Sequence, residues 1–192
     1  AALPNIFSRM AHTPRPTPDP EHLWRSPEPI VLLPHDPAWL AEGQREAQRI
    51  LHACAHALER VEHIGSTSVP GLIAKPVIDL PPILRSHEAG FACVEPMRAL
   101  GYWYAGDFGI AGRHFFVRGS PRSHHAHMLL ETSREARRHL AVRDTLRARA
   151  DLAQRYAELK TTLAARFVND RERYAEAKGE FMRDLFAAAG IE

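Results

Sequence analysis

Two short apolar runs, Val61 to Ile64 and Val77 to Leu80, flank a break at Gly65-Ser66 and a turn at Pro70-Gly71. Both are rich in β-branched residues and bounded by turn signals, so each predicts a short buried strand. Upstream, Ile30 to Leu33 predicts a further strand, closed by Pro34-His35-Asp36-Pro37. Asp36 has the chemistry of a helix N-cap, and Pro37 suits the first helical position. The spacing of Leu40, Ala47, Ile50, Leu51, Cys54 and Leu58 predicts one helix from Ala38 to Glu59.

Pro81-Pro82 is expected to close the second strand. His87 to Leu100 predicts a helix with Phe91, Val94, Met97 and Leu100 in the core. Gly101 to Tyr104 and His114 to Arg118 read as strands joined by the glycine-rich loop Gly106 to Gly112. His125 to Leu130 follows as a third strand, with His125, His127 and Leu129 on one face and Ala126, Met128 and Leu130 on the other. From Ser133 the pattern is helical. One helix runs to Ala150, a second from Leu152 to Phe167, and a third from Arg171 to Ala189, ended by Gly190.

This order predicts an α/β (α+β) domain over residues 30–192, a mixed sheet with flanking helices (30–131) and a helical C-terminal subdomain (132–192). Residues 1–29 hold seven of the fifteen prolines and predict an extended arm. Its apolar Ile6, Phe7, Met10, Leu23 and Trp24 are expected to dock on the domain or on a second subunit, so a monomer and an arm-mediated homodimer both fit.

Composition narrows the class. With 45% hydrophobic and 25% charged residues, the 192-residue chain reads as a soluble globular protein. A net charge of +2 makes no case for nucleic acid, and the arginine-rich stretch Arg134 to Arg149 is interleaved with acids and reads as a solvated helix face. Cys54 and Cys93 read as free thiols. No apolar run approaches the roughly 20 residues of a membrane span, and the N-terminus lacks a signal pattern, so a cytoplasmic protein with no membrane partner is expected.

The chemistry gathers on a few residues. Gly65, Ser66 and Thr67 follow a predicted strand and offer N–H groups and hydroxyls to an anion; the plainer alternative is a tight turn. Asp79, in an apolar strand, is costly to bury without a cation or hydrogen-bond donors. Lys75, ahead of Pro76, suits a phosphate contact or an ion pair with Asp79. His125 and His127 share a strand face, and imidazole with carboxylate suits Mn²⁺ or Zn²⁺ better than Mg²⁺. His127 is alternatively a general base. Glu131 is a candidate additional carboxylate, and His63 an orienting or structural residue.

The stretch Glu62-His63-Ile64-Gly65-Ser66-Thr67-Ser68-Val69-Pro70-Gly71-Leu72-Ile73-Ala74-Lys75-Pro76-Val77-Ile78-Asp79-Leu80 resembles the signature of the GrpB family. The likeness continues through Gly112 to Phe116, Pro121 to His127, Tyr156, Lys160 and Lys178, and so covers roughly Pro29 to the end. It implies a nucleotidyltransferase-like (DNA polymerase beta-like) fold that binds a nucleoside triphosphate and a divalent metal, Mg²⁺ or Mn²⁺ with Zn²⁺ a further candidate. The implied acceptor of a nucleotidyl group is an unidentified small molecule or a protein. On this resemblance Asp79, His127 and Arg113 are catalytic. Gly65, Ser66, Thr67, Lys75, Arg113, His125, Lys160 and Lys178 contact phosphate, and Asp79, His125 and His127 hold the metal. One departure stands out: the second acid expected two residues beyond Asp79 is Pro81. That favours the alternative of a catalytically inactive nucleotide-binding or accessory module, as in GrpB-like domains fused to dephospho-CoA kinase.

Overall fold

The computed structural model describes residues 29–191. Among them, six strands form one mixed sheet: β1 (Leu58–Val61), β2 (Ile78–Leu80), β3 (Pro82–Leu84), β4 (Trp103–Tyr104), β5 (His114–Arg118) and β6 (His124–Leu130). The order is β1-β3-β6-β5-β4, with β2 also on β6. β2 and β3 are successive parts of one extended segment, both parallel to β6, with Asp79 opposite His125 and Leu84 opposite Leu130. Helix α1 (Ala38–Ala53) packs on this sheet, where its Ile50 and the sheet's Leu80, Phe116 and Met128 are buried.

The expected helix from Ala38 to Glu59 therefore stops early. Cys54, Ala57 and Leu58 are buried as the helical spacing demands, but the chain turns through Cys54 to Ala57 and Leu58 pairs with Leu84 in the sheet. Nor does Pro81-Pro82 end the sheet. Pro82 lies opposite Val61, and the fully apolar Ile83 and Leu84 continue the pairing. The expected strand at Ile30–Leu33 is reduced to a bridge between Leu33 and Ala74, and that at Val61–Ile64 ends at Val61, with Ile64 bridging Asp79.

The segment expected as one helix over His87–Leu100 splits into α2 (Ala89–Ala92) and α3 (Val94–Ala99). Pro96 has no N–H to offer the carbonyl of Ala92, so the helix resets at Cys93. Phe91, expected in the core, is 57% exposed. Gly90 faces inward instead, and a Cβ there would stand 2.4 Å from the buried His114 ring.

The C-terminal helices are α4 (Arg134–Ala148), α5 (Ala150–Arg166), α6 (Arg171–Glu176) and α7 (Gly179–Ala188). Ser133 caps α4 by accepting from the Ala136 N–H, as expected. α4, α5 and α7 share a second core with Val69 and Leu72, so the loop after β1 is held between sheet and helices. The expected single helix from Arg171 to Ala189 breaks at Ala177-Lys178. The expected proline-rich arm, with any contact to a second subunit, falls almost wholly on residues 1–28, outside the described residues. No helix among those described is long and apolar enough to cross a membrane.

Candidate functional site

Parallel pairing sets the centre of the site. Asp79 and His125 are register partners on β2 and β6, and His127 follows on the same face of β6. Asp79 Oδ1 lies 3.0 Å from His125 Nδ1 and 3.6 Å from His127 Nε2. Burial would raise the Asp79 carboxyl, but the hydrogen bonds from His125 and His127 outweigh it and hold the group well below the usual carboxylate range. An ionised carboxylate only accepts, so His125 carries a proton on Nδ1, and the lone pair of the neutral ring lies on Nε2. That Nε2 is buried without a partner among the described residues.

Arg113 fixes the other imidazole. Its Nε and Nη2 donate to the carbonyls of Asp107 (3.1 Å) and Phe108 (2.8 Å) in the glycine-rich loop, and its guanidinium lies 4.6 Å over the Phe115 ring. Nη1 then stands 3.3 Å from His127 Nδ1. Arginine is only a donor, so His127 Nδ1 accepts and the proton of the neutral ring sits on Nε2, toward Asp79. Burial pushes the His127 pKa down, partly offset by Asp79. Arg113, expected on phosphate, thus sits behind His127.

The chain after Ile64 is forced close to Asp79. Gly65 has φ +72°, and a Cβ there would stand 2.7 Å from Asp79 Oδ2. Ser66 to Ser68 then form one 3₁₀ turn. The Thr67 hydroxyl donates to the Val77 carbonyl (3.1 Å) and accepts from His63 Nε2 (3.0 Å), so His63 ties this turn to the strand segment bearing Asp79. From α4, Arg147 donates to the Ser68 carbonyl and Arg143 to Glu62 and the His63 carbonyl. The arginine stretch expected as a solvated face is in part a clamp on this loop.

Three lysines complete a cavity of about 380 Å³. Lys160 of α5, 3% exposed, donates to Ser66 Oγ (3.0 Å) and to the Ile73 carbonyl. Lys178 occupies the joint between α6 and α7, 4.6 Å over the Tyr174 ring, and Lys75 lies 5.7 Å from the same ring. Burial, then repulsion from Lys178 and Lys75, lowers Lys160 to about 7; burial, then Lys75, lowers Lys178 to about 8. Gly65, Ser66, Thr67, Lys75, Asp79, His125, His127, Lys160 and Lys178 all line this cavity.

Glu131 does not supply a further carboxylate. It is exposed and pairs with Arg60 at 2.7 Å, away from the cavity. A second acid–histidine group, Glu42, Glu46 and His124, lies elsewhere. Its buried Glu46 already accepts from Tyr102, Arg118 and Arg49, which makes it a closed structural network.

Residues 29–188 match the family model described as GrpB protein. The chain belongs to the GrpB family. The crystal structure of the conserved protein GrpB from Enterococcus faecalis superimposes with a TM-score of 0.78 at 34% identity, covering 83% of this chain and 96% of that one. The UPF0157 protein PA4798 of Pseudomonas aeruginosa is 40% identical over 168 residues, 83% of this chain and 67% of that protein. The UPF0157 protein YqkA of Bacillus subtilis is 36% identical over 163 residues, and the match spans about half of that relative, 47%. A dephospho-CoA kinase of Mycobacterium tuberculosis is 40% identical over 77 residues, 38% of this chain and 19% of the kinase.

The GrpB chain brings one histidine to the site that sequence reading missed. His139 of α4 lines the cavity with its ring 5.2 Å from that of His127, and its buried Nε2 has no partner among the described residues. Burial lowers its pKa to about 4. It stands next to two arginines in sequence, where nothing distinguishes it from a surface residue.

Proposed function

We propose that the cavity binds a nucleoside triphosphate together with one divalent metal ion. The observation that carries this is the joining, in one cavity, of an ionised Asp79 between two imidazoles with Lys75, Lys160 and Lys178. Lys75, Lys160 and Lys178 bring three amines to one cavity, a setting that suits a chain of phosphates.

The donor set fits a metal. Single ligand atoms of Asp79, His125 and His127 lie within 4.8 Å of one another, and the lone pair on His125 Nε2 is backed by Asp79 on the opposite nitrogen. Imidazole and carboxylate favour Mn²⁺ or Zn²⁺ over Mg²⁺. His127 joins through Nε2 only once its proton moves to Nδ1, which requires Arg113 to turn away. When bound, the ion would polarise a phosphoryl oxygen. The lysines neutralise phosphate charge, and Gly65 lets the backbone approach Asp79.

Two activities are compatible with this occupancy. Transfer of a nucleotidyl group to a small-molecule or protein acceptor is supported by the joining of the candidate metal position and the phosphate-binding lysines in one cavity. A non-catalytic nucleotide-binding module is supported by Pro81, which leaves β2 with one acid where two ions would need two. Calorimetric titration of ATP, GTP, CTP and UTP, each with Mn²⁺ or Mg²⁺, into wild type and Asp79→Asn tests the binding. The expected result is metal-dependent binding of a nucleotide, weakened in Asp79→Asn. Absence of binding by all four overturns the reading, and pyrophosphate release during incubation separates transfer from simple binding.

A further inference from the structure

Two lysines of the cavity differ in what holds their amines. Lys160 is buried, and its Nζ donates to Ser66 Oγ and to the Ile73 carbonyl. Lys178 is half-buried in the cavity wall. Among the described residues its Nζ makes no hydrogen bond and no ion pair, and it rests over the buried Tyr174 ring at 4.6 Å. The backbone fixes the point from which this side chain starts. The Ala177 N–H donates to the Arg173 carbonyl and the Met182 N–H to the Lys178 carbonyl, so Lys178 is the joint between α6 and α7.

Burial, then repulsion from Lys75, brings the Lys178 amine down to about 8, against the pull of Asp79. At mildly alkaline pH much of it is therefore the free amine, which attacks without a base to activate it. A hydroxyl acceptor, by contrast, has to be stripped of its proton, the work that a second ion does in a two-ion site. Pro81 stands where the carboxylate for that ion is expected, and Glu131 is paired with Arg60 instead. A neutral lysine removes the need for that ion in the first step.

We propose that Lys178 is the nucleophile of a covalent step, holding the nucleotidyl group as a phosphoramidate on Nζ before its transfer to the acceptor. Nζ attacks the α-phosphorus, and the P–N bond forms as the P–O bond to the β-phosphate breaks. Pyrophosphate leaves with that electron pair and takes the proton shed by the nitrogen. An acceptor hydroxyl or amine then attacks the same phosphorus, and its proton returns to Nζ as the P–N bond breaks. The step rests on the nucleotide reading and makes Lys178 more than a phosphate contact.

The test incubates the full chain with ATP, GTP, CTP and UTP, each with Mn²⁺ or Mg²⁺ and without an added acceptor, beside calorimetry of the same mixtures. The reactions are stopped in alkali, which spares a P–N bond that acid breaks, and the chain is weighed intact and mapped by peptide mass spectrometry. With the nucleotide that binds, the expected result is a gain of one nucleoside monophosphate on Lys178, removed by acid and matched by released pyrophosphate. Lys178→Arg, which keeps a positive charge but no nucleophilic amine, still binds the nucleotide and gains no mass. The mapping of the wild-type chain decides the point even where that variant fails to fold. Binding without an adduct, an adduct on another residue, or one that persists in Lys178→Arg overturns the proposal and leaves the nucleotide reading standing. Absence of binding by all four nucleotides overturns both.

Discussion

Asp79 and His125 are register partners on parallel strands, with His125 Nδ1 3.0 Å from Asp79 Oδ1. The pairing orients the imidazole and directs its lone pair away from the carboxylate. Asp79→Asn keeps an acceptor for His125 but removes the charge that supports the ring as a ligand. Mn²⁺ affinity is expected to fall by about 10–100-fold, read by calorimetry. An unchanged affinity would show that the pair is purely structural.

Arg113 and His127 give a prediction of opposite sign. Arg113→Met removes the donor that holds the His127 proton on Nε2, and removes a positive charge near the metal position. Mn²⁺ affinity should rise, even though the loop carbonyls of Asp107 and Phe108 lose their donors and the fold is weakened. A fall in both metal affinity and urea midpoint would contradict this tautomer assignment.

The lysines make phosphate binding depend on pH. Lys160 and Lys178 titrate at about 7 and 8 in the protein as it stands, so raising the pH from 6.5 to 9 removes their charge. Inorganic triphosphate affinity should fall across that range. Binding near pH 8 should also take up protons, seen as a dependence of the calorimetric heat on buffer ionisation enthalpy. A flat pH profile would mean the lysines do not touch the ligand.

Acid should loosen the fold through its buried histidines. Burial holds His63, His124 and His139 neutral with pKa values of about 4. An unfolded histidine titrates near 6.5, so between about 6.5 and 4 the unfolded chain binds more protons and stability falls with pH. On going from pH 7 to pH 5 each contributes a loss on the order of 1–2 kcal/mol, read from urea midpoints. His139→Asn should flatten that slope.

Gly65 tests the close approach to Asp79. Its φ of +72° with ψ of −176° is a conformation essentially reserved for glycine, and a Cβ would meet the carboxylate at 2.7 Å. Gly65→Ala should cost about 1–3 kcal/mol of stability and weaken triphosphate and Mn²⁺ binding together. Retention of full stability and binding would show that the loop yields freely.

Much of the site was legible because it depends on short-range rules. Strand alternation alone puts His125 and His127 on one face, and the break at Gly65-Ser66 marks a turn against Asp79. What was hidden depended on tertiary context. Cys54 and Leu58 satisfy helical spacing equally well when they belong to a turn and a strand, so the end of α1 was misplaced. Phe91 looks like core until Gly90 is needed to admit the His114 ring. His139 and the clamping arginines share one polar stretch, whose inward face shows only when α4 is packed on the loop. The break that sets Lys178 over Tyr174 interrupts an otherwise continuous helical pattern.

The measurement that bears most directly on the account is a crystal structure of the protein with Mn²⁺ and a non-hydrolysable nucleoside triphosphate, with anomalous data collected at the manganese edge. The account predicts one anomalous peak bonded to His125 Nε2, with Asp79 still on the opposite nitrogen of that ring and the phosphates against Lys160 and Lys178. A nucleotide bound elsewhere, or an anomalous peak away from His125, would contradict it.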